Sequence, residues 1–211
     1  MNGYIVAEDP VSEGIILRIL EYSFPEFQVI TKLPARGGQL LSKINEFNKL
    51  AATWPVILLT DLDNNNCPPE MIDHLLCENK NDRFIFNIAI DEAEAWLMAD
   101  RQGFSEYFEI DEKLIPQSQM IRLGGRKETR EMVFPYKASL YFSMRIISFS
   151  RNNILIKQLT PKKGASKGPE YNSVMVPFIN NKWNIDLARN NSDSLNRMIN
   201  RIEALRASAL S

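Results

Sequence analysis

The chain is poor in sulfur, has a single imidazole and contains no long apolar run, and each scarcity narrows the chemistry open to it. Its two cysteines, Cys67 and Cys77, lie ten positions apart without companions, and the only histidine, His74, sits between them at no zinc-binding spacing. Incidental thiols are expected there rather than a metal centre, and unpaired thiols fit a reducing cytoplasm. Nucleophilic catalysis of the serine-histidine or cysteine-histidine type would rest on His74 alone, in a segment, 71–77, that reads as an ordinary helix. No stretch approaches the roughly 20 apolar residues that a bilayer crossing needs, so no membrane span is expected. The chain opens at once on Tyr4-Ile5-Val6-Ala7, not on a basic stretch followed by a hydrophobic segment and a cleavage site. No export signal is expected. Internal repeats and low-complexity segments are missing as well.

What is present is enough for a large core. The 211 residues can fold without disulfides as one domain with an appended lobe. Net charge is −1, but it is unevenly spread: residues 1–110 hold 18 acidic and 8 basic side chains, whereas residues 121–168 hold 2 acidic and 11 basic. A basic lobe attracts phosphate polymers, and an acidic centre beside it can hold a metal that neutralises one phosphate. A solvated basic segment with no such role is the plainer alternative.

The order of elements is that of an α/β protein. Strand-like runs at 4–7, 27–31, 56–59 and 84–90 alternate with helical patterns: one capped by Ser12 and running to about Tyr22, one opened by Gly37-Gly38 with an apolar face of Leu40, Leu41, Ile44, Phe47 and Leu50, one at 71–77, and one through Trp96. Val56-Ile57-Leu58-Leu59 is apolar throughout, as a central parallel strand covered on both faces must be. The alternation predicts an open, mostly parallel sheet with helices on both faces over residues 1–115, and a smaller basic C-terminal lobe over 116–211, packed on the first and closed by a helix from Ser194 to Leu210.

Acids stand where such sheets do their work. Glu8 follows the first strand, Asp61 and Asp63 the third, Glu92 and Glu94 the fourth, so three distant segments converge beyond the carboxyl ends of the strands. Clustered carboxylates repel one another unless protons or a cation intervene, and Mg²⁺ or Mn²⁺ suits an all-oxygen site. The plain alternative is that acids and amides simply form turns there. Glu8, Asp61, Asp63 and Glu94 are expected as metal ligands, with Glu92 as an auxiliary ligand or proton acceptor, and all five as catalytic candidates. Asp100, six residues beyond Glu94, reads as a cap or as a contact to the basic lobe.

These residues resemble the TOPRIM fold, the metal-binding domain shared by topoisomerases, primases and OLD-type nucleases: Glu8 matches its glutamate after the first strand, and Asp61-Leu62-Asp63 its aspartate-x-aspartate signature. Asp9 stands where that pattern has glycine. More specifically, Glu92-Ala93-Glu94-Ala95-Trp96-Leu97-Met98-Ala99-Asp100, with Pro161-Lys162-Lys163-Gly164 and Gly168-Pro169-Glu170-Tyr171-Asn172, is similar to an uncharacterised bacterial TOPRIM-like family related to those nucleases. The resemblance implies a Mg²⁺- or Mn²⁺-dependent nuclease acting on DNA or RNA, with an ATPase as partner subunit and a role in phage or mobile-element defence. Phosphate contacts are expected on Arg122, Arg126, Lys127, Arg130, Lys162, Lys163 and Lys167.

Three other readings stay open. A receiver domain shares the acidic pair Glu8-Asp9 and an aspartate at Asp61, but it would need a Ser or Thr after the fourth strand, where this chain has Asp91-Glu92. A haloacid-type phosphatase would carry its aspartates on the first strand. A non-catalytic nucleic-acid or partner-binding module would keep the shape without turnover.

Overall fold

Strands β1 (Asn2–Val6), β2 (Gln28–Lys32), β3 (Val56–Asp61) and β4 (Phe84–Ala89) form one parallel sheet in the order β2-β1-β3-β4. The computed structural model describes residues 1–34, 39–125 and 128–210. Side chains alternate across the sheet: Ile57 and Leu59 enter one apolar cluster, Val56 and Leu58 the other, and both faces are dry. The second cluster is closed by α2 (Gln39–Ser42), α3 (Ile44–Leu50) and α4 (Pro68–Leu75). Gly37-Gly38, expected to open a helix, lies outside the described residues.

Local chemistry explains most boundaries. Helix α1 (Pro10–Ser23) starts at Asp9, not at Ser12 as expected: the Asp9 carboxylate accepts the Ser12 backbone N–H at 2.9 Å, and Pro10 needs no donor in the first turn. The same economy starts α4 at Pro68, earlier than the apolar pattern suggests, because Pro68 and Pro69 occupy its first turn. Helix α5 (Ala93–Met98) is buried along its whole length, Trp96 included, which is why it shows no polar face. It is followed by α6 (Arg101–Phe108). Asp100 caps α6 through the Gly103 N–H and also accepts the Asn184 N–H at 2.8 Å, so it is both a cap and a tie to the C-terminal segment.

That C-terminal segment shares the first apolar cluster. A hairpin, β5 (Gln119–Arg122) with β6 (Glu128–Glu131), is followed by α7 (Ala138–Tyr141), which runs on through a π turn at 142–146 and a 3₁₀ turn at 147–149. Then come α8 (Asn153–Leu159), α9 (Tyr171–Asn181), α10 (Ile185–Asn191) and α11 (Asp193–Leu210). Phe142, Phe178, Met198, Ile202 and Leu205 lie in one continuous cluster with Ile15, Ile57 and Trp96. The predicted closing helix is α11. It covers the outer edge of the sheet, where Arg201 donates to the Phe86 carbonyl at 3.0 Å and so occupies part of β4's open hydrogen-bonding row. No helix among the described residues is long and apolar enough to cross a membrane.

Candidate functional site

The chain leaves β1 for β2 on one side and returns to β3 on the other, so the strand order reverses between β1 and β3. In open α/β sheets the crevice beyond such a reversal is the usual ligand site. Glu8 follows β1 and Asp61 ends β3, so these two acids flank the crevice. Each is half-buried; Glu8 accepts a hydrogen bond from the Thr60 hydroxyl at 2.8 Å, and Asp61 accepts the Ala93 N–H at 2.9 Å. The second bond ties the end of β3 to the first residue of α5.

The β4–α5 junction supplies the next two acids, both almost fully buried. Glu92 accepts the Ser139 N–H at 2.8 Å and faces the Lys137 ammonium at 3.5 Å. Glu94 meets the Lys167 ammonium at 2.9 Å and accepts the Tyr171 hydroxyl proton at 3.1 Å. Asp63 is exposed, lies in the left-handed region at φ 47, and takes Lys137 at 3.0 Å. Asp9, in the position of the expected glycine, binds Lys167 at 3.0 Å besides capping α1. Two lysines therefore bracket the acids: Lys137 on the Asp63 side and Lys167 on the Glu94 side.

The ionisation of these groups reports their mutual field. Burial pushes the Asp61 carboxyl well above its ordinary range, the charges of Glu94 and Glu92 push it further, the Ala93 N–H opposes, and Glu8 adds to the rise. Glu94 is also raised, first by burial; Lys167 opposes, while Asp9 and Glu92 reinforce. Burial alone would lower Lys167, but Glu94 and Asp9 outweigh it and hold the ammonium protonated above its normal value. Asp9 moves the other way: burial would raise it, and Lys167 with the Ser12 N–H brings it below the usual carboxylate range.

The donor set is all oxygen, as a hard divalent cation requires. Among the described residues, however, no group of three or more His, Cys, Asp or Glu side chains is arranged to hold a metal ion. The hydrogen bonds explain this: each acid already has a partner, and for Asp63, Glu92 and Glu94 the partner includes a lysine. A cation that binds Asp63, Glu92 or Glu94 must displace an ammonium group.

The residues expected to contact phosphate are dispersed. Arg122 and Arg130 are exposed on the hairpin, Arg122 facing Glu128 at 3.5 Å and Arg130 reaching the Ser118 hydroxyl at 3.5 Å. Arg126 and Lys127 lie outside the described residues. The Lys162 and Lys163 side chains are exposed and have no partner among the described residues. Lys167, by contrast, turns inward to Asp9 and Glu94. Its position depends on Gly168, where a β-carbon would fall 2.3 Å from the Leu159 carbonyl carbon at the end of α8; the glycine lets the loop close onto α8 and delivers the lysine. Sequence reasoning did not find Lys137, Asp9 or Tyr171 as members of the site. The Gly168 to Asn172 run was a signal for Tyr171, whereas nothing in the sequence marked Lys137.

A family model described as a domain of unknown function, DUF4276, matches residues 7–127. The chain belongs to the DUF4276 family. Within this DUF4276 chain the matched segment contains Glu8, Asp61, Asp63, Glu92 and Glu94, while Lys137, Lys167 and Tyr171 come from beyond it. Neither a curated protein nor a solved structure matches the chain.

Proposed function

We propose that this DUF4276 protein is a divalent-metal-dependent phosphodiesterase acting on nucleic acid, with a TOPRIM-like centre built on Glu8, Asp61, Asp63, Glu92 and Glu94. The observation that carries the reading is electrostatic: burial first, and then the charges of Glu94, Glu92 and Glu8, raise the Asp61 carboxyl well above its ordinary range, and two ammonium groups cannot balance six carboxylates. Such a cluster takes up protons or a cation. Glu8 and Asp61, which make no direct ion pair with a lysine, are the residues that would hold Mg²⁺ or Mn²⁺, with Asp63 joining once Lys137 lets go. The bound cation would stabilise charge on a phosphodiester oxygen. The released Lys137 ammonium is placed to meet a phosphate at the exposed rim, while Lys167 and Tyr171 hold Glu94 in place at the buried end. The ATPase partner and the defence role follow from the TOPRIM resemblance and enter the proposal on that ground alone.

One observation favours the non-catalytic alternative. Glu94 is sealed by Lys167 and Tyr171, a closed arrangement that suits a structural ion pair. Metal-linked melting and cleavage of a labelled oligonucleotide decide between the two. Mg²⁺ or Mn²⁺ should raise the melting temperature of the wild type through linkage and support cleavage. Asp61→Asn should lose most of that rise and cut cleavage by at least ~100-fold, the scale on which a removed transition-state stabiliser acts. Wild-type cleavage by Asp61→Asn, or no metal effect on melting, would overturn the enzyme reading.

A further inference from the structure

A cavity of about 340 Å³ opens beside the outer end of the carboxylate cluster, and Asp63, Asp91 and Lys137 form its rim. Its walls are of a different kind from the cluster. Phe134 and Tyr136 line it, together with the buried apolar side chains of Leu62, Ile90 and Met132. Phe134 is nearly buried, but Tyr136 is 41% exposed. Tyr141 packs against both rings, with centroids 5.8 Å from Phe134 and 5.3 Å from Tyr136. The second contact is edge-to-face, so Tyr136 packs on Tyr141 while the residue stays 41% exposed.

From this juxtaposition we infer that the cavity receives one unpaired nucleobase, stacked on Tyr136, and that the substrate is therefore single-stranded nucleic acid. The inference rests on the phosphodiesterase reading of the adjoining acids and specifies its substrate. Three features select a base over other flat ligands. The volume lies near the lower end of small-ligand pockets, roughly 300–1,000 Å³, which is room for a nucleoside. The Lys137 ammonium sits at the rim, where the phosphate of a seated nucleotide would emerge, between the cavity and the carboxylates. Asn64 offers an amide at the same rim, able to donate to or accept from a base edge. In a duplex both faces of each base are already stacked, so only a splayed base can reach this aromatic ring.

Binding of a fluorescent 12-nucleotide single strand, and of a duplex of the same sequence, can be read by anisotropy for wild type, Tyr136→Ala and Tyr136→Phe, in EDTA and again in Ca²⁺. Wild type should prefer the single strand by about tenfold or more, and Tyr136→Ala should lose about that factor, the lower range for removing one base-aromatic stack. Tyr136→Phe should keep the preference, and duplex binding should not change. A melting curve for each variant confirms that it is folded; at this exposed position both should melt like wild type. Equal affinity for single strand and duplex, or wild-type affinity of Tyr136→Ala in both buffers, would overturn the inference. Cleavage in Mg²⁺, measured separately, keeps the two claims apart. Tyr136-dependent binding without cleavage leaves the base pocket standing and removes the enzyme, while cleavage unaffected by Tyr136→Ala does the reverse.

Discussion

Asp91 links a strained backbone to a measurable pH effect. It lies in the left-handed region at φ 73, between β4 and the two buried glutamates of the junction, and its carboxylate accepts the Phe134 N–H at 2.9 Å. Burial is the main cause that lifts its pKa from 3.8 to about 6; the Phe134 N–H opposes and the Glu92 charge adds. A folded-state pKa above the unfolded value means that folding favours the protonated acid. Its stabilising contribution is complete below about pH 4 and is lost as pH rises through 6. A shift of about two units corresponds to about 3 kcal/mol at most. Asparagine at this position keeps the acceptor, tolerates positive φ and cannot ionise. Urea denaturation at pH 4 and pH 8 should therefore show Asp91→Asn gaining ~1–3 kcal/mol on the wild type as pH rises. Parallel pH profiles for the two proteins would count against this assignment.

Among the elements that the amphipathic pattern did not reveal is the β5–β6 hairpin, whose second strand follows Gly124-Gly125 where the charges suggest a helix. Gln119-Met120-Ile121-Arg122 and Glu128-Thr129-Arg130-Glu131 carry little apolar alternation, because only one face of each short strand meets the protein. What anchors the hairpin is polar. Glu131, only 1% exposed, accepts from the Ser192 hydroxyl at 2.7 Å, the Ser194 N–H at 2.7 Å and the Ser194 hydroxyl at 2.8 Å. Arg197 stands 3.4 Å away. Ser194 in turn accepts the Trp96 indole N–H at 2.8 Å, so one carboxylate joins the hairpin, the start of α11 and the buried helix α5. Removing it strands several buried donors. Glu131→Ala should destabilise the protein by about 3 kcal/mol in chemical denaturation, and Glu131→Gln by less because it keeps one acceptor. A loss below about 0.5 kcal/mol, the level of an ordinary surface substitution, would show that the network is not structural.

For the whole molecule, the basic stretch of the sequence turns out to be divided between two kinds of role. Lys137 and Lys167 point into the acidic crevice as counter-cations, whereas Lys162 and Lys163 face solvent and Arg122 and Arg130 sit on the hairpin. Lys162 and Lys163 can exchange salt ions for phosphates without first leaving a carboxylate. Lys162→Gln with Lys163→Gln should weaken single-strand binding and flatten its dependence on salt by about 1.4 units of slope, roughly 0.7 per lost contact. Anisotropy titrations between low and moderate salt measure this. An unchanged slope would remove these two lysines from the interface.

The sequence by itself determined the order of elements over the first 100 residues and the strand-end acids, because periodicity and composition are properties of neighbouring residues. Val56 to Asp61 had to be a covered central strand, and Glu8, Asp61, Glu92 and Glu94 had to follow strands, wherever the rest of the chain went. Asp100 was legible as a cap for the same local reason. Only the tertiary structure decided which charges meet. Lys167 reaches Asp9 across 158 positions and Glu94 across 73, and Lys137 reaches Asp63 across 74. Such contacts depend on loop closure over α8 and on the route taken through the hairpin, and no local pattern encodes either. The acids were therefore visible from the start as a repelling cluster. That ammonium groups from the C-terminal half partly neutralise it is a consequence of folding, because Coulomb attraction at 3 Å acts on distance in space and not on distance along the chain.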